Sequence, residues 1–224
     1  MITSRDNETV KLVAKLLGQR KHRRATGLCA AEGEDLVEAA RAAGIEPVHL
    51  LTAGETVDPG VLAAVSTLPH PTRVIGVFRA DRLPVERRDV CVALWRLVDP
   101  GNVGTLIRTA DAFGAAVALS EGCADPLAPK ALRASAGGIF RVPLIAWDDV
   151  PGRKLALVAR GGSPLSEVEL TPPLTFLLGS EREGLPDEIA TDCCKVTIPL
   201  SGDAESLNVA AAGAIALYEV ARRA

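Results

Sequence analysis

The residues best equipped for chemistry lie in three glycine-punctuated segments in the second half of the chain. They are residues 99–110 (DPGNVGTLIRTA), 178–185 (LGSEREGL) and 198–209 (IPLSGDAESLNV). Each follows an apolar run that reads as a buried strand. Each sets small residues beside a carboxylate, an amide or a guanidinium where that run ends. In an open α/β sheet, ligands bind at the carboxyl ends of the strands, so three ends of this composition predict one composite site. Singly, the segments have plainer readings. Gly101 to Gly104 suits a strand-to-helix turn. The stretch from Gly179 to Gly184 resembles a phosphate-cradling loop, yet it lacks both the dinucleotide fingerprint and the Lys-Ser/Thr ending of a P-loop. Ser206 or a neighbour suits the cap of a helix.

Other chemistries have little material. The three histidines, His22, His49 and His70, all precede these segments, which argues against a histidine triad or a histidine-rich metal site there. The five cysteines, Cys29, Cys91, Cys123, Cys193 and Cys194, form no C-x-x-C pair and read as buried, reduced thiols. No metal is expected.

The 224 residues are 48% hydrophobic and 24% charged, a globular balance. No apolar run reaches the roughly 20 residues that span a bilayer, and the N-terminus has no signal-peptide core. The expected location is cytoplasmic, with no membrane partner. The net charge of −3 hides an uneven distribution. Arg5, Lys11, Lys15, Arg20, Lys21, Arg23 and Arg24 crowd the start against only Asp6 and Glu8. Such a segment is the electrostatic footprint of a polyanion partner, or else a solvated helix face.

Periodicity predicts helices over residues 7–18, 35–43, 60–65, 104–113, 129–136 and 206–221. It predicts strands over residues 27–31, 48–51, 73–78, 90–98, 116–119, 155–159, 175–178 and 196–198. Residues 19–24 read as a basic loop. The charged stretch 81–89 reads as a boundary, dividing the chain into 1–85 and 86–224. The alternation implies an α/β fold. The last helix is rich in alanine and apolar on most faces, so it is buried either in the core or in a homodimer contact.

Taken together, the segments resemble motifs one, two and three of the SpoU/TrmH family of RNA ribose 2′-O-methyltransferases, in the SPOUT superfamily. Asn102, Gly104, Arg108, Thr109 and Ala110 match the first. Gly179, Glu181, Gly184 and Leu185 match the second, and residues 198–209 the third. Residues 133–137 match a further family segment, although Gly138 stands where the family often has alanine. Ile2-Thr-Ser, the basic loop and Glu32-Gly33 resemble the family's N-terminal substrate-binding domain. The resemblance implies a methyltransferase domain with a C-terminal trefoil knot, preceded by a small ribosomal-protein-like α/β domain that binds RNA. It implies a homodimer with sites shared across the interface. It also implies S-adenosylmethionine, held by Gly179, Ile198 and Leu207 with Leu178 and Leu200. Arg108, Asn102, Glu181, Ser206 and Asn208 would form the catalytic surround, with Arg108 anchoring the target phosphate and ribose. Arg20, Lys21, Arg23 and Arg24 would contact RNA. Ribosomal RNA is the expected substrate, with transfer RNA as the alternative. Two further readings are a nucleotide-dependent enzyme on a Rossmann-like sheet, which the missing fingerprint disfavours, and a non-catalytic RNA-binding protein that kept the fold.

Overall fold

The computed structural model describes residues 1–202 and 204–223, so Asp203 of the third segment lies outside the described residues. Helix α1 (Glu8–Gly18) starts where Asn7 accepts the amide of Thr9 at 2.9 Å, and it buries Val10, Val13, Leu16 and Leu17 along one face. The predicted basic loop is instead a second helix, α2 (Arg20–Thr26), closed by Gly27 in the left-handed region. It has no apolar stripe for periodicity to find, because a tertiary ion pair ties it down. There follow β1 (Leu28–Glu32), α3 (Glu34–Ala42), β2 (His49–Thr52), α4 (Pro59–Val65) and β3 (Val74–Arg79). The three strands form an antiparallel sheet ordered β1-β3-β2.

The rest of the chain builds β4 (Val90–Leu94), α5 (Pro100–Ala112), β5 (Ala116–Leu119), α6 (Pro129–Ser135), β6 (Leu144–Ala146), β7 (Arg153–Leu157) and β8 (Ser163–Pro164). It ends with β9 (Leu174–Leu178), α7 (Asp187–Ala190), β10 (Cys194–Thr197) and α8 (Val209–Arg223). Seven strands form a parallel sheet ordered β6-β5-β4-β9-β7-β10-β8. Both faces are covered, so its central strands are almost wholly apolar, and the buried Thr175 hydroxyl of β9 donates to the carbonyl of Pro151 at 2.7 Å. Leu94 of β4 lies opposite Leu178 of β9, and the first two segments therefore leave the sheet side by side.

The strand predicted over 90–98 stops at Leu94, and the helix predicted from residue 104 begins at Pro100. Asp99 sets that start. Its carboxylate accepts the amide of Asn102 at 2.9 Å while Pro100 fills the first turn. The final helix begins at Val209 rather than 206. Crossings are close at glycines. A Cβ on Gly104 would overlap the carbonyl of Ala131, and one on Gly213 would strike Leu106.

One apolar cluster runs through both halves, joining Val37, Ile45 and Phe78 to Leu106, Leu132 and Phe140. The rings of Phe78 and Phe140 meet at 5.3 Å. Polar links reinforce this seam. The buried Glu32 carboxylate accepts Ser66 Oγ at 2.8 Å, the Thr67 amide at 2.9 Å and Arg133 at 3.4 Å. Arg23 pairs with Asp125 at 2.6 Å and donates to the carbonyl of Leu16 at 2.6 Å. Cys29, Cys91 and Cys123 are buried, as expected of inert thiols, and burial pushes Cys29 and Cys91 up to about 12. Cys193 is half-buried and Cys194 is exposed, a correction to the expectation that all five are buried. Among the described residues, no helix is long and apolar enough to cross a membrane, and no group of three or more His, Cys, Asp or Glu is placed to hold a metal ion.

Arg23 is only 6% exposed, so removing its partner strands a charge in the interior. Asp125→Ala should cost about 3 kcal/mol in urea denaturation. A double change to Arg23→Met and Asp125→Leu should recover most of the loss. A single-variant cost near zero would mean that the Arg23 guanidinium finds water.

Candidate functional site

One residue from each segment meets at the carboxyl edge of the parallel sheet. Asn102 stands in the first turn of α5, Glu181 in the loop after β9, and Asn208 just before α8. Asn102 Nδ2 donates to Glu181 Oε1 at 2.8 Å, and Asn208 Nδ2 donates to Asn102 Oδ1 at 3.2 Å. This relay is fixed from below. Asp99 holds the Asn102 amide and pairs with Lys130 at 3.0 Å. The Lys130 ammonium, and then the Asn102 amide, keep the Asp99 carboxyl below its ordinary range. The cap is therefore charged at neutral pH and is lost only as pH falls through that lowered range. Asn208 Oδ1 also accepts the amides of Ala210 at 2.9 Å and Ala211 at 3.2 Å. The helix cap sought at Ser206 or a neighbour thus belongs to Asn208.

Beside the relay is a cavity of about 780 Å³. Leu178, Gly179, Ile198, Leu200 and Leu207 all line it, and Glu181, Ser206 and Asn208 stand on its wall. Sequence reasoning missed the wall formed by Leu157, Val158, Ala159 and Arg160, and also Ala212 of α8. The strand before that wall was visible in sequence, but not its place beside β9. The second segment is folded back on itself. Ser180 and Gly184 exchange backbone hydrogen bonds at 3.2 and 3.0 Å, with Gly184 at a φ of 68°. A Cβ on Gly179 would overlap the backbone of Gly184 and Leu185, so only glycine lets this loop close. The cavity has the size of a small-molecule site. Its wall sets apolar Leu178, Ile198 and Leu207 and the Gly179 backbone beside charged Arg160, Glu181, Arg182, Glu183 and Glu205, which suits a flat heterocycle carrying polar or charged ends.

Arg108 is not part of this relay. It lies six residues beyond Asn102, about 9 Å along α5 and on another side of the helix. It is exposed, and among the described residues it makes no hydrogen bond or ion pair. The four N-terminal cations also separate. Arg23 is buried in its ion pair, and Arg20 donates to the carbonyl of Cys123 at 3.0 Å. Arg23 is therefore withdrawn from any ligand, because its charge is neutralised inside the fold. Lys21 and Arg24 remain exposed, and with Arg20 they line a shallow hollow on α2.

Residues 89–218 match the model of the SpoU rRNA Methylase family, and residues 7–80 match that of the MRM3-like substrate binding domain. The 23S rRNA (guanosine(2553)-2′-O)-methyltransferase RlmP of Bacillus subtilis is 32% identical over 98% of each chain. Among solved structures, the AdoMet-bound rRNA methyltransferase from Sinorhizobium meliloti aligns with a TM-score of 0.87. It is 31% identical over 99% of this chain and 97% of its own. The SpoU methyltransferase AviRb from Streptomyces viridochromogenes, in complex with AdoMet, aligns with a TM-score of 0.85. It is 27% identical over 97% of this chain and 98% of its own.

Asn208 ties the start of α8 to the relay. Asn208→Ala should free two amides and destabilise the protein by about 1 kcal/mol, as read by urea denaturation. Asn208→Asp, which keeps the cap oxygen, should restore that stability without restoring the donor to Asn102. Equal losses in both variants would place the stabilisation in the Asn102 contact instead.

Proposed function

Because the chain belongs to the SpoU rRNA methylase family, we propose that it methylates a ribose 2′-hydroxyl of ribosomal RNA, with S-adenosylmethionine as methyl donor. The observation that carries this reading is the cavity whose wall shares Glu181 and Asn208 with the relay to Asn102. Leu178, Gly179, Ile198, Leu200 and Leu207 would hold the donor. When bound, it supplies an electrophilic methyl on a sulfonium, which leaves as a neutral thioether once the ribose oxygen has taken the methyl.

The residues of the chain have three tasks. The apolar part of the wall, Leu157, Leu178 and Ile198, seats the donor. The Asn102–Glu181–Asn208 relay, with Ser206, orients the hydroxyl, and the second Glu181 oxygen accepts its hydrogen bond and then its proton as the ribose oxygen takes the methyl. Arg108 grips the target phosphate through its planar fork. A guanidinium is a donor rather than a base, so its contribution is positioning.

Two features support a homodimer. Arg108 stands apart from the relay of its own chain. In addition, α8 buries Ala210, Gly213, Ala216 and Leu217 yet exposes Ile215 and Tyr218. We assign Arg108 to the site of a second copy. The same family reading gives a knotted C-terminus, supported by β9 lying between β4 and β7 while α8 returns onto α5. It also gives a cytoplasmic location and two working units, 1–85 for RNA and 86–224 for chemistry. Of the four cations expected to contact RNA, Lys21 and Arg24 are the ones left for phosphate.

The test is transfer of labelled methyl from S-adenosylmethionine to ribosomal RNA, followed by mapping of 2′-O-methyl positions. Arg108→Ala should reduce the rate on the order of 100-fold or more, with donor affinity kept. Arg108→Lys should recover little of it, because a lysine lacks the fork. Mixing Arg108→Ala with Asn102→Ala subunits should restore activity, since one site of the mixed dimer is then intact. Inactive mixtures, or wild-type rates in Arg108→Ala, would refute the shared site.

Neutralising Lys21 and Arg24 together should flatten the dependence of RNA affinity on salt by about two phosphate contacts. An unchanged slope would assign both to a solvated face.

A further inference from the structure

The two tryptophans of the chain stand together on the edge of the sheet that carries the relay. Trp95 directly follows β4, its amide donating to the carbonyl of Leu178 at 2.8 Å, and Trp147 directly follows β6. Both are half-buried, with ring centroids 5.2 Å apart and planes tilted by 56°. Arg96 follows at a φ of 48°, a left-handed conformation that costs any side chain strain. Its amide is held by Ser120 Oγ at 2.9 Å. This backbone sets the exposed Arg96 guanidinium over the Trp95 ring, 5.3 Å from the centroid. A glycine would take the same turn without strain, and a solvent-exposed cation–π contact returns little stability.

The surroundings narrow the ligand. Exposed Asp148 and Asp149 directly follow Trp147, and exposed Glu121 follows the Ser120 that holds Arg96, so the patch repels a run of phosphates. Aromatic faces beneath a single cation suit one flat base instead, with its own phosphate meeting Arg96. The position narrows it further. β4 lies between β5 and β9, and Glu181 sits in the loop after β9. The edge therefore runs from the cavity, through the relay, to the tryptophans.

We propose that Trp95, Trp147 and Arg96 form a stacking site for an unpaired RNA base flanking the methylated nucleotide, an assignment that rests on the RNA ribose methylation reading above. The substrate is then RNA in which the neighbour of the target is unpaired.

Both tryptophans lie in the patch, so the intrinsic fluorescence of the protein reports on this place alone. The probes are a short random-sequence single-stranded RNA and a blunt RNA duplex of the same length. The single strand should quench tryptophan emission and shield it from acrylamide, and the duplex should do neither. Trp95→Ala should weaken single-strand binding about five-fold or more, while Trp95→Phe, which keeps a ring, should retain most of it. Arg96→Gly should raise the melting midpoint and weaken single-strand binding, whereas a merely structural role moves only the first. Calorimetry with S-adenosylmethionine on each variant reports whether the cavity is intact. Unaltered emission at saturating single strand, or wild-type binding by Trp95→Ala, overturns the stacking site. Failure of the wild-type protein to bind S-adenosylmethionine would sink the methylation reading instead.

Discussion

The pairing of β4 with β9 fixes the rest of the site. The two strands are far apart in sequence, yet they lie parallel with Leu94 opposite Leu178. Both are buried on both faces, so a slip of one residue would turn every side chain to the wrong layer. Their carboxyl ends therefore leave the sheet one strand spacing apart, about 4.8 Å. The hydrogen bond from Asn102 to Glu181 follows from that register, given the cap at Asp99 that starts α5 where it does. The third segment reaches the same point by helix packing. Gly213 lets α8 settle on Leu106 and Leu178, which brings Asn208 to Asn102.

Much of this was legible in the sequence because the signals are local. The strand over 116–119 has the bounds read from its apolar run. Helix α1 has the stripe that periodicity requires. The relay was legible because polar side chains that follow apolar strands cluster where strands end. Boundaries set by a single cap were less visible. The apolar pattern of α8 extends toward residue 206, but the side chain of Asn208 decides that the helix begins at Val209.

What could not be read is what depends on distant partners. Helix α2 is polar but for Ala25, and its ordering ion pair reaches Asp125 in the other half of the chain. Counting cations in the first two dozen residues overstates the charge on offer, because Arg23 is spent inside the fold. The order of the seven strands has no local signature either, so the cavity wall from β7 and the meeting of Trp95 with Trp147 were invisible. Arg108 shows the converse. Its motif named it as part of the site, while the fold of a single chain leaves it outside the relay.

The apolar seam between the halves makes the molecule a measuring device. Phe78 packs on Phe140, Gly137 has no room for a Cβ beside Ala39, and Glu32 holds Arg133 across the same junction. The N-terminal half is thus not an interchangeable attachment, since exchanging it would strip the cover from Phe140 and leave Arg133 unpaired. Lys21 and Arg24 on α2 stand at a set span from the cavity. On the methyltransferase reading, an RNA is accepted when its phosphates and its target ribose match that span. New targets would then be acquired by recutting surface residues on an unchanging frame, rather than by trading one RNA-binding arm for another.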